Sequence, residues 1–182
     1  IANVAPIFRY MAEMARDDNG YIAGTTQQGS FQYAQYFPLG VTAHIMPFNF
    51  PILLFAWTAA ATLACGNGFI VKPAEATSVT TLMFMRHFTC LPEGLTACVT
   101  GNGRVGQRLV DSPNIHGVAF TGSVEVGRRV NTACAQLMKP AVIEAGGNDA
   151  MIITDHANYE VAAAGAICGA FHLSGQVCTS AE

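Results

Sequence analysis

The chain has 182 residues, of which 51% are hydrophobic and only 12% are charged, and its formal net charge is −3. This length and apolar content are enough for a large buried core in one or two domains. The small negative charge provides no electrostatic basis for binding nucleic acid or an anionic membrane, so the prediction excludes both partners.

The predicted elements begin with a helix over residues 1–16 and a polar β-hairpin over residues 25–37, with a Gly-Ser turn at 29–30. After residue 40, short apolar segments predict strands at 41–45, 69–72, 95–100, 117–121, 141–144 and 151–153. Helical periodicity between them predicts helices at 51–64, 78–88, 104–110, 124–137 and 159–171. Ser78 and Ser123 are the expected N-caps of two of these helices.

The longest apolar run, residues 50–65, includes Thr58 and Thr62. It is short for a membrane span and typical of a buried helix. The first 20 residues carry several charges, which argues against a signal peptide. The chain starts at Ile1 and stops four residues after Cys178, so we expect a fragment of a longer enzyme.

The six cysteines have neither CxxC spacing nor the density of a disulfide framework, which favours a reducing, cytoplasmic compartment. They are Cys65, Cys90, Cys98, Cys134, Cys168 and Cys178. The five histidines are scattered and show no ligand spacing, so no metal site is predicted.

The alternation of short apolar strands with helices predicts a parallel, doubly wound α/β sheet. In such a sheet, ligands bind at the carboxyl ends of the strands. Those ends lead into residues 44–47, 72–73, 100–101, 121–123 and 144–147. We therefore expect the chemically active side chains in these segments.

Two glycine-containing turns are candidate phosphate sites. Residues 120–127 (FTGSVEVG) combine a strand end, a tight turn and a helix start, which suits either a bound phosphate or a simple Ser123 cap. Residues 101–106 (GNGRVG) match the GxGxxG fingerprint of dinucleotide sites. No acidic residue stands at a strand end about twenty residues further on, so this second match is a weak signal.

Four other side chains have both a chemical and a structural interpretation. Glu75, three residues after Lys72, suits ribose hydroxyls or an exposed salt bridge. Asn49, between two phenylalanines, suits an oxyanion donor or a structural turn. Glu144, before two glycines, suits a general base or a buried, satisfied carboxylate. Cys178, after a Gly-Gln pair, suits a nucleophile or a small buried hydrophobe.

Five sequence blocks taken together resemble the aldehyde dehydrogenase superfamily, in its hydrolytic NAD(P)-dependent branch. They are residues 47–51 (PFNFP), 72–75 (KPAE), 120–123 (FTGS) with Gly127, 144–147 (EAGG) and 175–178 (GQVC). The blocks occur in the family's order and at its spacing, from about residue 40 to the end, and the resemblance is looser before that. Phe48, Ala145 and Asn148 depart from the residues most common in the family.

The resemblance implies a Rossmann-like cofactor domain over residues 1–146 and the beginning of the catalytic domain over 147–182, truncated after the nucleophile. It also implies an oligomerisation hairpin over about 22–38 and a homo-oligomer, a dimer or tetramer. The implied reaction is oxidation of a small-molecule aldehyde to its carboxylic acid, with NAD favoured over NADP.

The resemblance further implies the roles of individual residues. Cys178 corresponds to the nucleophile, Asn49 to the oxyanion donor and Glu144 to the base that activates water. The implied cofactor-binding residues are Ile45, Met46, Pro47, Phe48, Lys72, Ala74, Glu75, Gly103, Phe120, Thr121, Gly122, Ser123, Val126, Ala145 and Gly146.

Three alternatives compete with this hypothesis. A CoA-acylating aldehyde dehydrogenase commonly lacks the base, so Glu144 argues against it. A non-catalytic nucleotide-binding protein of the same fold has no need to keep Cys178, Asn49 and Glu144 together. A cysteine hydrolase requires a histidine within hydrogen-bond reach of the Cys178 sulfur.

Overall fold

The computed structural model describes residues 2–17, 20–24 and 27–181. The helices in these ranges are α1 (Val4–Met14), α2 (Pro51–Ala64), α3 (Ser78–Met85), α4 (Gly103–Asp111), α5 (Val124–Gln136) and α6 (Tyr159–Phe171). The strands are β1 (Gly20–Ala23), β2 (Gln32–Gln35), β3 (Val41–Ile45), β4 (Gly68–Lys72), β5 (Thr96–Cys98), β6 (Gly117–Thr121) and β7 (Ala141–Glu144). Short 3-10 turns cover Glu75–Thr77, Arg86–Phe88 and His172–Gly175. The predicted helix start at residue 1 and hairpin positions 25 and 26 lie outside the described residues.

Five of the described strands form a parallel sheet in the order β5-β4-β3-β6-β7. The chain moves from β3 to β4 on one side and later returns to place β6 on the other side of β3. Ligands in open α/β sheets bind beside the strand ends at such a reversal. This architecture confirms the predicted α/β class with helices flanking a parallel sheet.

Helix α2 packs between the sheet, α1 and α3, and its residues are accordingly apolar on nearly all sides. Phe55, Ala56 and Ala59 are completely inaccessible to solvent. Phe55 packs edge-to-face on Phe69 of β4, with ring centroids 5.2 Å apart. Apolar burial and such ring geometry stabilise the layer over β3 and β4.

Helices α4 and α5 cover the opposite face of the sheet. Ala43 and Ile45 of β3 and Val118 and Phe120 of β6 pack with residues of these two helices in a second buried cluster. On the α2 side, the edge strand β7 is less covered, and Val142 is 59% exposed. The sheet is therefore packed on both faces at its centre and is more open at β7.

Two predictions about local structure after residue 40 were wrong. Residues 151–153 form no strand, and all three side chains are exposed. An apolar run becomes a strand only where a neighbour completes its hydrogen bonds, and no described strand pairs with this one. Ser78 is the first residue of α3 and not its N-cap, because a 3-10 turn precedes it and its hydroxyl donates to the carbonyl oxygens of Ala74 and Glu75.

The hairpin stands apart from the main sheet. β1 and β2 pair antiparallel, with Ile22 opposite Tyr33, and form a two-stranded sheet of their own. The predicted turn is present, since Ser30 donates through its backbone N–H and its hydroxyl to the Gln27 carbonyl oxygen. The predicted start of the hairpin at residue 25 was wrong, because β1 lies before it, at Gly20–Ala23. No helix in the described part of the chain is long and apolar enough to cross a membrane.

His44 of β3 is completely buried and lies within a set of threonine hydroxyls. The Thr58 hydroxyl donates to the Phe55 carbonyl oxygen, so it accepts from the His44 Nδ1–H group at 2.7 Å. Nε2 is then an acceptor, 3.2 Å from the Thr62 hydroxyl and 3.0 Å from that of Thr42. The neutral ring is satisfied in this tautomer, and burial lowers the pKa of His44 from 6.5 to about 4.

We predict that His44 makes the protein less stable in acid. Between pH 6.5 and pH 4 the unfolded chain binds a proton at this ring while the folded chain does not. Stability is therefore fully present above pH 6.5, falls as the pH falls through this window, and loses about 3 kcal/mol in total. The slope of the unfolding free energy with pH should be smaller in His44→Gln than in the wild type. Equal slopes in the two proteins would contradict the assignment.

Candidate active site

A cavity of about 650 Å³ opens at the carboxyl edge of the parallel sheet, beside the reversal between β3 and β6. Its lining includes all the predicted cofactor residues, together with Asn49 and Cys178. Those residues are Ile45, Met46, Pro47, Phe48, Asn49, Lys72, Ala74, Glu75, Gly103, Phe120, Thr121, Gly122, Ser123, Val126, Ala145, Gly146 and Cys178. The described chain thus brings residues from distant segments to one concave surface.

The start of α5 forms one wall of the cavity. Ser123 caps this helix by accepting a hydrogen bond from the Val126 N–H group. A side chain at Gly122 would lie 2.7 Å from the Phe120 ring, and one at Gly127 would lie 2.9 Å from Ile143. The two glycines therefore let the helix start approach the sheet edge closely. The N–H groups of its first turn then face the cavity with the positive end of the helix dipole.

Lys72 is buried at the end of β4 and is held in place by two carbonyl groups. Its Nζ donates to the Pro73 oxygen at 2.7 Å and to the Gly101 oxygen at 2.9 Å. Burial lowers the pKa of Lys72, while the nearby Glu75 and Cys98 act in the opposite direction. Glu75 is exposed, and among the described residues it forms no ion pair with Lys72. The expected local salt bridge is therefore not formed.

Asn49 connects the sheet edge to the segment that carries Cys178. Its Nδ2 donates to the Gln176 carbonyl oxygen at 2.9 Å, across 127 positions of sequence. This contact fixes the amide with its nitrogen towards the Cys178 segment, since the reversed orientation would oppose two oxygens. The Asn49 Oδ1 atom is buried and accepts no hydrogen bond from the described residues.

Cys178 lies in a turn that follows α6 and a short left-handed segment. Leu173, Ser174 and Gly175 have φ values of 51°, 58° and 73°. Two successive non-glycine residues in this region are unusual and cost free energy. The Cys178 side chain is exposed, and its backbone N–H donates no hydrogen bond within the described residues.

No histidine in the described part of the chain is hydrogen-bonded to the Cys178 sulfur. The feature that would support the cysteine-hydrolase alternative is therefore not found. The described residues also contain no group of three or more His, Cys, Asp and Glu side chains placed to hold a metal ion.

Glu144 ends β7 and is paired in register with Thr121 of β6. Its side chain is exposed and does not line the cavity, although Ala145 and Gly146, the next two residues, do. The structural alternative of a buried, satisfied carboxylate is thus wrong for the described chain. Glu144 thus stands at the carboxyl edge of the sheet, next in the chain to two residues that line the cavity.

Sequence reasoning missed four residues of the lining, namely Leu54, Gly175, Gln176 and Val177. The last three directly precede Cys178, so their position in the chain was a usable signal. Leu54 lies in the first turns of α2, five residues after Asn49, and its apolar character was indistinguishable from that of the buried core.

Of the GNGRVG loop, Gly103 reaches the cavity, while Arg104 lines a separate small pocket with Arg108.

Comparison with known proteins agrees with this architecture. Betaine aldehyde dehydrogenase 2 of Rhizobium meliloti is 40% identical over 169 residues, which cover 88% of this chain and 35% of that protein. Phenylacetaldehyde dehydrogenase of Pseudomonas fluorescens is 42% identical over 149 residues, which cover 80% of this chain and 30% of that protein. The NAD⁺ complex of aldehyde dehydrogenase from Bacillus cereus superposes with a TM-score of 0.93 at 31% identity, covering 98% of this chain and 37% of that one.

The chain spans about a third of the length of these relatives. The family model named "Aldehyde dehydrogenase family" matches residues 1–182, which is the whole sequence. The chain therefore belongs to the aldehyde dehydrogenase family.

Proposed function

We propose that this chain is the cofactor-binding and nucleophile-bearing part of an NAD-dependent aldehyde dehydrogenase that releases its acid product by hydrolysis. The observation that carries the proposal is the meeting of Asn49, Cys178 and the strand ends around one cavity. Two relatives are named for betaine aldehyde and phenylacetaldehyde. These substrates share the aldehyde group and differ elsewhere, so the proposal names the aldehyde class as substrate.

The cavity fits a dinucleotide in size and chemistry. Its volume of about 650 Å³ lies within the usual range of cofactor sites. The N–H groups at the start of α5, beside Gly122, suit a pyrophosphate, and Glu75 and Lys72 suit ribose hydroxyls. The Bacillus cereus relative is described as an NAD⁺ complex. NAD, when bound, supplies the acceptor for the hydride that leaves the aldehyde carbon.

Cys178 is the proposed nucleophile. Its thiolate attacks the aldehyde carbon, and a negative charge develops on the former carbonyl oxygen as the thiohemiacetal forms. Within the described residues the Cys178 backbone N–H has no acceptor, and Asn49 Nδ2 donates to the Gln176 oxygen of the same turn. Two such donors stabilise the oxyanion, and removal of one typically costs on the order of a hundredfold in rate.

The state of Asn49 supports a catalytic role over a structural one. An amide nitrogen carries two N–H groups. Asn49 Nδ2 donates one of them to the Gln176 oxygen, and the described residues offer no acceptor to the other. Asn49 also lines the cavity, so its second N–H group can donate to the oxygen of a bound aldehyde.

Glu144 is the proposed base for the second half-reaction. After oxidation, the substrate is held as a thioester on Cys178, and a water molecule must be deprotonated to cleave it. Glu144 takes this proton, the C–S bond breaks, and the carboxylic acid leaves. The exposed position of Glu144 beside Ala145 leaves its carboxylate open to water. Its presence favours hydrolysis over transfer to CoA.

The remaining expectations stay proposals. We propose a division between cofactor and catalytic domains at Gly146–Gly147, and a cytoplasmic location based on the cysteine spacing. We also propose that the β1–β2 hairpin joins copies of the protein into a homo-oligomer. Ile22, Phe31 and Tyr33 of this hairpin are 72%, 70% and 63% exposed, which favours a contact surface. Sedimentation of the full-length protein measures the assembly state.

The Cys178→Ala substitution tests the nucleophile. In the full-length protein it should abolish aldehyde oxidation, because no other atom in the site can hold the acyl group. NAD affinity, measured by fluorescence titration, should stay within a few-fold of the wild-type value, since the phosphate and ribose contacts are unchanged. Appreciable residual turnover in this variant would remove Cys178 from the mechanism.

The Glu144→Gln substitution separates the two half-reactions. If Glu144 acts in deacylation, steady-state turnover should fall strongly while a pre-steady-state burst of NADH persists in stopped-flow absorbance. Gln keeps the size of the side chain and removes the base, so the burst reports on acylation alone. Loss of the burst together with the steady-state rate would place Glu144 in an earlier step or in a structural role.

Glu75 is expected to set cofactor preference. A carboxylate near the adenosine ribose repels the 2′-phosphate of NADP, and no ion pair with Lys72 neutralises it. Because Glu75 is exposed and screened, we expect a preference for NAD of roughly tenfold to a hundredfold in kcat/KM. Glu75→Ser should narrow this ratio mainly by improving NADP. A ratio unaffected by the substitution would show that Glu75 does not contact the ribose.

A further inference from the structure

The position of Cys178 is determined by the backbone of its turn, because its exposed side chain makes no hydrogen bond within the described residues. A parallel β-bridge between Asp149 and Ala181 and several hydrogen bonds hold this turn in place. Asn49 Nδ2 donates to the Gln176 oxygen, the Ser180 hydroxyl donates to the Gly175 oxygen at 3.4 Å, and the Ala181 N–H donates to the Gly169 oxygen at 3.1 Å. The segment that these hydrogen bonds hold, residues 175–181, is short.

The loop after β7 also passes close to the Cys178 backbone. A side chain added at Gly147 would place its Cβ 2.8 Å from the Cys178 carbonyl oxygen and 2.8 Å from Asp149 Oδ2. Carbon and oxygen atoms do not approach this closely without displacement. The Asp149 carboxylate can rotate away, but the Cys178 oxygen belongs to the backbone and can move only with the turn.

Gly147 is not explained by its backbone conformation. Its φ lies outside the left-handed region that favours glycine, as does that of the preceding Gly146. A side chain at Gly146 would meet no atom within 4 Å. Position 147 therefore lacks a side chain because of the space it must leave for Cys178.

We propose that Gly147 is a positioning residue, which sets the place of the Cys178 backbone, and with it the thiol and the N–H group, relative to the Asn49 side chain. The inference rests on the proposed function in taking Cys178 as the nucleophile. A methyl group at residue 147 pushes on the Cys178 oxygen, and the ties at Gln176 and Ser180 confine the resulting shift to the residues around Cys178. A displacement of about 1 Å at a reacting atom can reduce the rate on the order of a hundredfold.

The first test uses the full-length enzyme. Gly147→Ala should lower the rate of the NADH burst, which reports acylation, at least tenfold. NAD affinity should remain within twofold and the melting temperature within a few degrees, because neither depends on the position of the sulfur. Wild-type burst kinetics in Gly147→Ala would overturn the proposal, as would a loss that follows a general loss of folding.

The second test needs no turnover. The rate at which iodoacetamide alkylates Cys178 is measured by mass spectrometry of the peptide in the absence of cofactor. Gly147→Ala should change this rate at least threefold. The control is Gly165→Ala, where the added Cβ comes no closer than 3.3 Å to the mobile end of the Met151 side chain, and its rate should stay within twofold. An unchanged rate in Gly147→Ala overturns the inference. The alkylation assay gives this answer even if the full-length protein oxidises no aldehyde. An absence of aldehyde oxidation would contradict the proposed function and would leave the alkylation result to be judged separately.

Asp149→Ala distinguishes the two clashes. The single variant removes only the mobile carboxylate and should behave like the wild type in both assays. The double variant Gly147→Ala/Asp149→Ala keeps the clash with the Cys178 oxygen and should show the same defect as Gly147→Ala. If Gly147→Ala does not fold, the double variant, which removes one of the two close approaches, takes its place in both assays. Recovery of wild-type behaviour in the double variant would assign the effect to Asp149 and overturn the proposal.

Discussion

In the parallel sheet, Ile45 at the end of β3 is paired with Lys72 on one side and with Phe120 on the other, and Thr121 is paired with Glu144. This register places the ends of four strands at one level. Because the strand order reverses beside β3, the connections from these ends diverge and leave a cavity between them. The position of each site residue along the sheet depends on this register, since a slip of one residue would reverse the direction of every side chain.

The buried polar side chains fall into two groups that differ in how fully they are satisfied. Both ring nitrogens of His44 have hydroxyl partners, and the Lys72 ammonium has two carbonyl partners. The Asn49 amide has a partner on one atom only, as far as the described chain extends. Full satisfaction stabilises a fold, whereas an amide in the lining of a cavity with an N–H group that no described residue accepts can donate to a bound ligand. His44 of β3 thus serves packing, whereas Asn49 of the following connection lines the cavity.

The sheet and most of the residues that line the cavity could be predicted from the sequence, because both follow from local patterns. Strands 41–45, 117–121 and 141–144 and helix 51–64 are confirmed residue for residue. The prediction of a strand at 151–153 was wrong because a strand requires a hydrogen-bonding partner, and pairing is a long-range property. Leu54 was missed because an apolar residue in the wall of a cavity has the same sequence signal as one in the core.

Gly147 shows the limit of sequence reasoning most clearly. A pair of glycines predicts a hinge or a tight turn, but neither Gly146 nor Gly147 has the backbone conformation that requires glycine. The constraint on Gly147 comes from the carbonyl oxygen of Cys178, which lies 31 positions later in the sequence shown. Gly147 is three residues after Glu144, so one loop carries the proposed base and also leaves the space that the Cys178 backbone occupies. The Asn49–Gln176 hydrogen bond holds the same turn from the sheet side, and the Asp149–Ala181 bridge holds it from the loop side. The proposed nucleophile is therefore held through the backbone of its turn and not through the cysteine side chain.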